Sequence, residues 1–566
     1  MKQACKPEAS GAGARGAGVR WTLQAGFFAL FLLLFLLMQH PWREGIPYRL
    51  FLDLNPFTSL AGLAGTRIPW GPLLLFLGLG LLGGRLFCGY VCPLGFCIDL
   101  ADRSLGGGRT RKGEDRDPGS GEPGKGASPG KVRTGIRPGP VGLQWVVLGW
   151  VLVGLAVHNS LPMVLDPIGL FLRALAVVFY PLGAWLANGL LGFFRPVAEQ
   201  MGWYGLAYFS LAQPGTSTVP GSFLLLALVL ALGLHSPRFW CRHVCPLGAL
   251  LGLLARVAPM KRVVAETCTD CGRCGAGCPM GAIAANPRST KHTACIQCRS
   301  CRDVCPANAV SFPLRARHRT AGVPMLLEGL TRRRFFGGVG LGGMLLVLTR
   351  LEPRVMKSTG RWLRPPGAIP EHEFLAACIR CGACLRICIT HTLQASGLEN
   401  GLIRWGTPVP DLRFAGCEQN CNLCGKICPT GAIRSLPLVE RQHAKIGTAV
   451  LLRERCVAWA QDRLCLLCDE ACPYNAIVFQ VVEGHKRPFV DESRCNGCGM
   501  CEEVCPVEGE AAIVVYPQGE LRMRDGSYKE ALNMQRIFLV PKKDKPMPLR
   551  GHEDIVLPDG GNEFHG

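Results

Sequence analysis

Cysteines dominate the residues of this sequence that could do chemistry, and most of them fall into six groups of four. Four groups have the spacing C-x2-C-x2-C-x3-C, while the fourth along the chain opens with a three-residue gap and the fifth with an eight-residue gap. Such spacing is typical of loops that bind [4Fe–4S] clusters, so it predicts six of them. The groups are Cys268, Cys271, Cys274 and Cys278; Cys295, Cys298, Cys301 and Cys305; Cys378, Cys381, Cys384 and Cys388; Cys417, Cys421, Cys424 and Cys428; Cys456, Cys465, Cys468 and Cys472; and Cys495, Cys498, Cys501 and Cys505.

The short spacing has a geometric reason. Three thiolates on one tight loop can reach three corners of a cubane, but the loop cannot wrap to the fourth corner. The last cysteine of a partner loop supplies that ligand, so paired loops bind two clusters by exchange. We therefore expect Cys305 to complete the cluster of the first loop and Cys278 that of the second. Among the last four loops, two pairings remain possible. Neighbouring loops could pair in sequence, or the first of the four could pair with the fourth and the second with the third.

Two other roles for clustered cysteines fit this pattern less well. Zinc sites use two C-x2-C pairs around one ion, and disulfide frameworks belong to short secreted chains. Five of the six groups end in Cys-Pro, and proline there directs the chain away from the cluster without a competing N–H. The third group departs from this pattern because Ile389 follows Cys388. We expect its cluster to form, with a different exit of the chain from the loop.

Two further pairs of cysteines lie in an internal repeat. Arg85–Arg103 reads RLFCGYVCPLGFCIDLADR and Arg238–Arg256 reads RFWCRHVCPLGALLGLLAR. Each copy contains C-x3-C-P, which places two thiols one helical turn apart, and the repeat could bring both pairs together at the cytoplasmic face. They would form a seventh metal site there, act as a thiol relay, or stay inert thiols at a helix end. These thiols are Cys88, Cys92, Cys241 and Cys245. Cys5 and Cys97 are expected to be ordinary free cysteines.

Apolar stretches supply the elements that must position these groups. A membrane-spanning helix needs about 20 mostly apolar residues. Residues 166–194 are also apolar but are interrupted by Arg173, Pro181 and Asn188. We expect this segment to be interfacial or re-entrant, with a helical hairpin that crosses twice as the alternative. The four predicted spans are Trp21–Met38, Trp70–Phe87, Leu143–His158 and Phe223–Trp240.

The net charge of +21 indicates which loops face the cytoplasm. Residues 351–566 carry equal numbers of acidic and basic side chains, so the whole excess lies in the preceding residues. It falls in loops between apolar stretches, which fits the positive-inside rule and not nucleic-acid binding. A flexible cytoplasmic linker is expected over 104–140, which is rich in glycine, proline and arginine. Residues 241–334 are basic and are also expected to be cytoplasmic.

A later segment is similar to an export signal. The stretch 331–336, TRRRFF, resembles a twin-arginine motif and precedes a short apolar run, Phe335–Leu348. Cluster-bearing domains are built around their metal before they can cross a membrane, which gives export after folding a physical reason. No A-x-A cleavage site follows, so the segment is expected to remain as an anchor. The alternative is a basic helix end beside a short buried helix.

Other cofactors have weaker support in the sequence. A haem with two axial histidines would need them at one depth inside the membrane. His40 and His158 instead fall near its outer edge, while His235 and His243 fall near its inner edge. The same histidines could help to bind a quinone head group. No dinucleotide-binding glycine motif and no catalytic triad is present in the sequence, so we predict no catalytic residue.

These motifs resemble two known families. Residues 21–310, with two CPLG repeats followed by two cluster loops, resemble the NapH-type membrane subunit. Residues 331–515, with a twin-arginine start and four cluster loops, resemble the NapG/MauM family of periplasmic ferredoxins, so the chain resembles a fusion of the two. The resemblance implies a quinol dehydrogenase module that passes electrons to a periplasmic reductase. NosR-like regulatory or maturation proteins share the CPLG half. The missing proline after Cys388 and the fused arrangement depart from these families.

The expected fold is a polytopic α-helical membrane domain, with about four spans plus one later anchor, joined to α+β bacterial-ferredoxin-like domains. The expected boundaries are a basic tail at 1–20, a membrane domain at 21–256, a two-cluster domain at 257–320, the export-like segment and anchor at 321–350, a four-cluster domain at 365–540 and a tail at 541–566.

We expect the chain to lie in the bacterial cytoplasmic membrane and to move electrons from quinol or a cytoplasmic donor to a periplasmic redox protein or reductase. It would be an electron-transfer subunit of an oxidoreductase, in contact with the lipid bilayer and not with nucleic acid. One alternative is a redox-linked regulator or maturation factor for another metalloenzyme. Another is a ferredoxin-like subunit whose clusters are all cytoplasmic.

Overall fold

The computed structural model describes residues 12–38, 46–106, 142–211, 219–283, 286–314, five positions between 337 and 344, and 361–541. Several predicted features therefore lie outside the described residues. These are the TRRRFF stretch at 331–336, most of the expected anchor at 335–348, most of the linker at 104–140, the tail after 541, Cys5 and His40.

The first half of the chain is helical because its apolar stretches are long and contain few β-branched runs. A 3₁₀ turn at Leu161–Leu165 and a π turn at Leu175–Phe179 interrupt the α-helices. The helices are α1 Ala12–Leu37, α2 Leu50–Asp53, α3 Pro56–Gly62, α4 Trp70–Gly83, α5 Leu86–Tyr90, α6 Pro93–Gly106, α7 Leu143–Ala156, α8 Pro167–Ala174, α9 Tyr180–Gln200, α10 Tyr204–Ala207, α11 Val219–His235, α12 Phe239–His243 and α13 Pro246–Val257.

Two helices in the described part of the chain are long and apolar enough to cross a membrane, Gly18–Leu37 and Pro167–Gln200. Shorter apolar helices, Trp70–Gly83, Leu143–Ala156 and Gly221–His235, lie at the other three predicted spans. Each is shorter than the roughly 20 residues that a bilayer requires. The second predicted span is shorter than expected because Gly84 adopts a φ of +59° and ends α4. Of the described helices, two are therefore long enough to cross a bilayer.

The segment 166–194 differs from its prediction as an interfacial stretch or a hairpin. α8, the π turn and α9 form one continuous apolar helix over Pro167–Gln200. The polar residues that were expected to interrupt the helix have hydrogen-bond partners. Arg173 donates to the carbonyls of Val164 and Arg380. The Asn188 amide exchanges two hydrogen bonds with the main chain of Leu211. Because these groups are satisfied, the helix continues through them.

The remaining described residues form small α+β units. In each of four two-stranded antiparallel sheets the strands frame cysteine loops, with Val263 opposite Ser311 and Thr448 opposite Tyr516 in two of them. The strands are β1 Val263–Val264, β2 Val310–Ser311, β3 Leu393–Ala395, β4 Pro408–Pro410, β5 Thr448–Leu451, β6 Ile477–Val482, β7 His485–Val490 and β8 Ile513–Tyr516, paired as β1 with β2, β3 with β4, β5 with β8 and β6 with β7. The helices are α14 Arg273–Ala276, α15 Ser300–Asp303, α16 Glu371–Ala377, α17 Ala383–Ile387, α18 Leu423–Ile427, α19 Leu438–Gln442, α20 Val457–Ala460, α21 Leu467–Ala471, α22 Met500–Glu503 and α23 Tyr528–Met534, with a 3₁₀ turn at Leu398–Asn400.

These cysteine-bearing units contact opposite ends of the helical region. Gly83 at the end of α4 accepts a hydrogen bond from Gln297, in the second loop. Arg67, three residues before the other end of the same helix, donates its main-chain N–H to the carbonyl of Thr430 in the fourth loop, at 3.3 Å. A helix of 14 residues, about 21 Å long, separates the two contacts.

The four-loop unit is held on its end of the helices by buried polar contacts. Ser160 lies between the carbonyls of Leu375 and Cys378, at 2.6 and 2.7 Å. Its hydroxyl also accepts from Arg380 at 3.1 Å. Residues of the third loop belong to the same apolar core as α1, α6 and α8. The loop is therefore packed into the helical region and not tethered beside it.

Candidate iron–sulfur centres

The first two loops bring their thiols together in two groups beside the β1–β2 pair. In the first group, which we name site A, Cys305 of the second loop lies with the three leading thiols of the first loop. In the second group, site B, Cys278 of the first loop lines one cavity with the leading thiols of the second loop. This is the arrangement that ligand exchange requires. Site A comprises Cys268, Cys271, Cys274 and Cys305, and site B comprises Cys278, Cys295, Cys298 and Cys301.

The last four loops pair sequentially, which resolves the alternative that the spacing left open. Cys428 lines a cavity with the leading thiols of the third loop, and Cys388 interacts with those of the fourth. Cys472 and Cys505 are exchanged in the same way between the sixth and fifth loops. The sites are D, with Cys378, Cys381, Cys384 and Cys428; E, with Cys388, Cys417, Cys421 and Cys424; F, with Cys472, Cys495, Cys498 and Cys501; and G, with Cys456, Cys465, Cys468 and Cys505.

The repeat thiols form a further group, site C, in which Cys88, Cys92, Cys241 and Cys245 all line one cavity. The two thiols of a copy do not share a helix, because α5 ends at Tyr90 and α6 begins only at Pro93. The chain turns back there, so α5 and α6 enter and leave the helical core. Cys92 and Cys245 are buried at these turns. The site therefore lies within the helical core, where Cys88 and Cys241 also pack against Met280 and Ile296 of the two-loop unit.

Reciprocal arginines hold the two copies of the repeat together. Arg85 of the first copy donates to the carbonyls of Gly248 and Cys241 of the second, at 2.6 and 3.5 Å. Arg238 of the second copy donates to the carbonyl of Cys88 at 3.3 Å. Both guanidinium groups are almost fully buried. The arginine that precedes each pair of thiols thus fixes the main chain of the opposite pair.

Arg238 also has a carboxylate partner. Its Nε and Nη2 donate to the two oxygens of Asp99, at 2.5 and 2.6 Å. Asp99 accepts from Arg20 of α1 as well. Asp102 accepts the main-chain N–H of Arg238, at 3.0 Å. A buried bidentate pair of this kind fixes side-chain geometry and is costly to break.

Hydrogen bonds to sulfur recur at the ends of the loops. In three loops the amide N–H four residues after the last cysteine donates to the Sγ of that cysteine, at 3.3 to 3.4 Å. The pairs are Ala282 with Cys278, Ala309 with Cys305, and Ala476 with Cys472. The residue before each alanine has a positive φ, which turns the amide toward the sulfur. Such donors stabilise thiolate ligands and tune the potential of a cluster.

Buried arginines also face the thiols. Arg262 donates to Cys274 Sγ at 3.4 Å, and Arg441 donates to Cys417 Sγ at 2.9 Å. Burial by itself would lower the pKa of Arg441. The thiols beside the guanidinium, of which Cys417 has the largest effect, outweigh burial and raise that pKa. Positive charge beside a thiol favours the thiolate form. These sites therefore favour the ligand state that iron needs.

The residues present fit an iron–sulfur cluster. Among the described residues there is no group of three or more His, Cys, Asp or Glu side chains that could hold a single metal ion. At sites B, C and D the four thiols instead surround a cavity, as a cluster needs when each of its irons takes one thiolate. Burial raises the pKa of Cys381 to about 12. A thiolate at that depth needs a cation beside it, which cluster iron supplies.

Two of the histidines considered for haem or quinone lie on the exposed surface. His158 is exposed and its ring stacks on His372 at 6.1 Å. His235 is exposed at the end of α11 and contacts Phe239. The sequence reasoning missed His391, which is buried and follows the loop that lacks proline. The substitution of Ile389 for proline was the signal that this loop differs.

Three family models match four segments of the chain. A "4Fe-4S binding domain" matches 71–112 and 218–264, which contain the two repeat copies. A "4Fe-4S dicluster domain" matches 260–306, and a second model with that description matches 463–508. Multiple [4Fe–4S] centres are therefore supported in both halves of the chain.

Curated proteins give a closer assignment. The methylamine utilization ferredoxin-type protein MauM of Methylorubrum extorquens is 39% identical over 184 residues, which cover 31% of this chain and 80% of that protein. The ferredoxin-type protein NapG of Escherichia coli is 37% identical over 213 residues, 34% of this chain and 89% of that protein. The chain belongs to the NapG/MauM family of ferredoxin-type proteins.

Other comparisons agree with membership of the NapG/MauM family. The ferredoxin-type protein NapF of Escherichia coli is 30% identical over 163 residues, 27% of this chain and 90% of that protein. No solved structure matches the chain. This NapG/MauM-type protein is an iron–sulfur electron-transfer protein. Each of these relatives matches about one third of this chain, and the other two thirds lie outside the match.

Proposed function

We propose that the chain is a membrane-bound electron conduit in which the cysteines of sites A to G hold seven [4Fe–4S] clusters in one continuous row. The observation that carries the proposal is that each site is joined to the next by exchanged cysteines, by a packed contact or by one short helix, from the two-loop unit at one end of the helices to the four-loop unit at the other. When bound, the clusters would supply one-electron carriers. The chain's own residues hold them apart from water and at fixed separations.

The contact between sites B and C supports entry into the membrane region. Met280 lines the cavities of both sites. Cys88 and Cys241 of site C pack on the same small apolar cluster as Cys278 of site B. Arg238 interacts with both Cys241 and Cys298. Only this short apolar contact separates the two groups of thiols.

A two-turn helix connects sites C and D. Pro167 at the start of α8 lines the cavity of site C. Near its other end, Arg173 interacts with Cys381 of site D, and its main chain packs so closely on Gly382 that a side chain added there would meet the Arg173 Cα. The helix has eight residues and is about 12 Å long. Cys92, Cys245 and Cys381 belong to one apolar core. The gap between the two halves of the row is therefore short and dry.

The remaining steps run within the four-loop unit. Sites D and E are joined by their exchanged cysteines, as are sites F and G. Between these pairs, the Cys417 amide of site E donates to the carbonyl of Cys498 of site F at 2.8 Å. The row thus continues from the helical core to site G, which lies farthest along it.

The two cysteine units contact opposite ends of α4, and the basic charge of the two-loop unit supports the direction proposed across the membrane. The basic two-loop unit would face the cytoplasm and the four-loop unit the periplasm, with Gly18–Leu37 and Pro167–Gln200 as the helices long enough to cross the bilayer and the TRRRFF segment serving export. Electrons would enter from quinol or a cytoplasmic donor and leave to a periplasmic redox protein. This arrangement corresponds to a NapH-type membrane subunit fused to its NapG-type ferredoxin.

Iron and acid-labile sulfide analysis of anaerobically purified chain tests the number of clusters. Seven clusters predict about 28 iron atoms per chain, whereas six predict about 24. Cys92→Ser should remove one cluster and Cys97→Ser none, because Cys92 lines the cavity of site C whereas Cys97, which lies on the following helix α6, does not. Equal iron contents in the two variants would contradict a cluster at site C.

Vectorial transfer in liposomes tests the conduit. Dithionite outside should reduce ferricyanide trapped inside when the full chain is present. Cys92→Ser should abolish this transfer while Cys97→Ser retains it. Transfer that survives the loss of site C would refute the row as the electron path.

Reporters fused to the C-terminus distinguish the transmembrane conduit from the alternative in which all clusters are cytoplasmic. Alkaline phosphatase should be active there and a cytoplasmic reporter inactive. The reverse result would place all clusters on one side and contradict the proposed topology.

A further inference from the structure

Site A forms the outer end of the proposed row of clusters. Site B contacts site C through Met280, whereas Cys274 and Cys305 of site A pack with Ile283 and Val310 of the two-loop unit. An electron can therefore reach site A from site B on one side, or from a partner in solution on the other.

The outer side of site A is open to solvent. Of the cysteines in the described part of the chain, Cys271 alone is exposed, and Cys268 beside it is half-buried. At site G, the other end of the row, Cys456 is buried and the remaining thiols are half-buried. Site A is thus the place where a protein in solution can come closest to a cluster ligand.

The surface around this exposed thiol is built from both loops. Helix α14 begins at Arg273, two residues after Cys271, and α15 contains Arg302. The two helices pack against each other, and Gly277 at the end of α14 lies so close to Val304 that a side chain added there would contact it. The two loops therefore present one continuous surface. We name it the site A face, and it comprises Cys271, Arg273, Arg302, Val304 and Pro306.

The site A face combines apolar and basic groups. Val304 is 41% exposed and Pro306 is also exposed, and the two flank Cys305 in the chain. Arg273 and Arg302 are exposed beside them. Interfaces between electron-transfer proteins are small, and a protein interface commonly has an apolar centre and a polar rim. The composition of the face fits such an interface.

Positive charge dominates the exposed surface of the two-loop unit. Arg288 pairs with Asp270 at 3.2 Å and also interacts with Glu266, so one arginine lies beside both exposed carboxylates. The half-buried Asp303 interacts with Arg302. A positive excess remains. Over the described residues between 260 and 314, the exposed basic side chains are Arg273, Arg288, Lys291, Arg299 and Arg302, and the exposed acidic ones are Glu266 and Asp270.

The surface near site G has no such excess. Over residues 452–510, seven acidic side chains are exposed against five basic ones. Complementary charge steers the encounter of two proteins and suppresses wrong partners. An acidic partner would therefore be directed to site A and not to site G.

We propose that the site A face docks a small, acidic one-electron carrier protein of the cytoplasm, which reduces site A directly. The proposal rests on the proposed function and names the electron donor of the row. The carrier loses one electron and the cluster at site A gains it, so each docking event delivers one electron. With flavodoxin as the carrier, its anionic flavin hydroquinone becomes the neutral semiquinone, and no proton is exchanged.

The test uses anaerobic full-length chain in detergent, with reduced flavodoxin as the acidic probe. The semiquinone absorbance of the probe and the bleaching of the clusters are followed together. Arg273→Glu combined with Arg302→Glu should slow the second-order reaction by about tenfold or more at low salt, because electrostatic steering contributes about tenfold to a thousandfold to association rates. The difference should disappear at about 1 M salt, where the Debye length is about 3 Å.

Two further pairs of substitutions separate docking from folding. Arg273→Lys combined with Arg302→Lys keeps the charge and should react as the wild type does. Lys486→Glu combined with Lys529→Glu makes the same charge reversal at exposed positions of the four-loop unit and should leave the flavodoxin rate unchanged. Cluster content and reduction by dithionite should be the same in all variants, because the substituted side chains are exposed.

Calorimetric titration with oxidised flavodoxin measures docking without electron transfer. Binding should weaken by about tenfold or more when Arg273 and Arg302 are reversed, since charge complementarity contributes to the contact. Equal binding and equal rates in the wild type and this variant would overturn the docking face. An equal loss in the Lys486 and Lys529 variant would reduce the effect to overall charge and also overturn it.

Two outcomes distinguish this proposal from its neighbours. Flavodoxin binding that is lost in nanodiscs of phosphatidylglycerol but kept in those of phosphatidylcholine would assign the basic face to anionic lipid and overturn the proposal. Normal flavodoxin reduction of site A, together with failure of dithionite to reduce ferricyanide across liposomes, would retain the docking face and overturn the conduit.

Discussion

Glu371 stabilises the four-loop unit through a cluster of arginines, and replacing it with glutamine tests the electrostatics of that unit. Its carboxylate accepts from Arg364 at 2.7 and 2.9 Å and from Arg522 at 2.7 Å, with Arg404 at 3.3 Å. Burial opposes its ionisation, but the hydrogen bonds and charges of Arg364, Arg522 and Arg404 outweigh burial and lower its pKa to about 2.

The magnitude follows from the linkage between proton binding and folding. Displacement of the pKa from 4.5 to about 2 contributes about 3 kcal/mol of folding free energy. Because the folded-state pKa is depressed, this stability is present above about pH 4.5 and is lost as the pH falls toward 2. Glu371→Gln at neutral pH removes the charge and leaves Arg364, whose side chain is 1% exposed, without its carboxylate.

Thermal loss of the visible cluster absorbance in anaerobic detergent measures the effect. Glu371→Gln should lower the midpoint by about 6 to 12 °C, since about 1 kcal/mol shifts a domain of this size by about 2 to 4 °C. Glu373→Gln is the control on the same helix, because its pair with Arg524 is 3.1 Å long and exposed. It should cost less than about 1 kcal/mol. Equal midpoints for the two variants would refute the reasoning.

Three further outcomes are expected. Cys428→Ser should remove the cluster of site D, whose other ligands lie in the preceding loop, and Cys388→Ser the cluster of site E; EPR spectra of dithionite-reduced protein distinguish these losses. Arg441→Gln removes a positive charge and a donor 2.9 Å from Cys417 Sγ, so a redox titration should find the potential of site E lowered by tens of millivolts. Asp99→Asn leaves Arg238 buried without its carboxylate, costs about 3 to 5 kcal/mol and lowers the yield of iron-loaded protein, whereas Asp102→Asn, which affects only a main-chain contact, should leave that yield nearly unchanged.

The sequence was most informative where local geometry decides the outcome. The spacing of Cys268 to Cys274 forces three thiols onto one tight loop, and the exchange with Cys305 follows because that loop cannot reach further. The same reasoning could not choose among the last four loops, since either pairing satisfies each loop locally. Packing between loops decides the sequential pairing, because Cys428 lies with the leading thiols of the third loop and Cys388 with those of the fourth.

Features that depend on tertiary packing were not accessible from the sequence. The repeat predicted that Cys92 and Cys245 could meet, but not that both chain turns enter the helical core. Arg173 and Asn188 indicated an interruption of the helix because polar groups in an apolar segment usually need water. Main-chain carbonyls and amides at a distance in sequence satisfy them instead, and no periodicity records those partners.

The buried arginines give a physical reason why the clusters and the fold depend on one another. Arg85 is 1% exposed and donates to main-chain carbonyls, and Arg380 is 1% exposed and donates to two carbonyls and the Ser160 hydroxyl. Burial lowers the pKa of Arg380 to about 10, which reflects a cation whose partners are neutral. A cubane with four thiolates carries net negative charge, so it would supply the missing counter-charge at sites C and D. Without it, each cation would remain desolvated and uncompensated, a condition that is strongly destabilising. Cluster insertion should therefore precede stable docking of the four-loop unit on the helices.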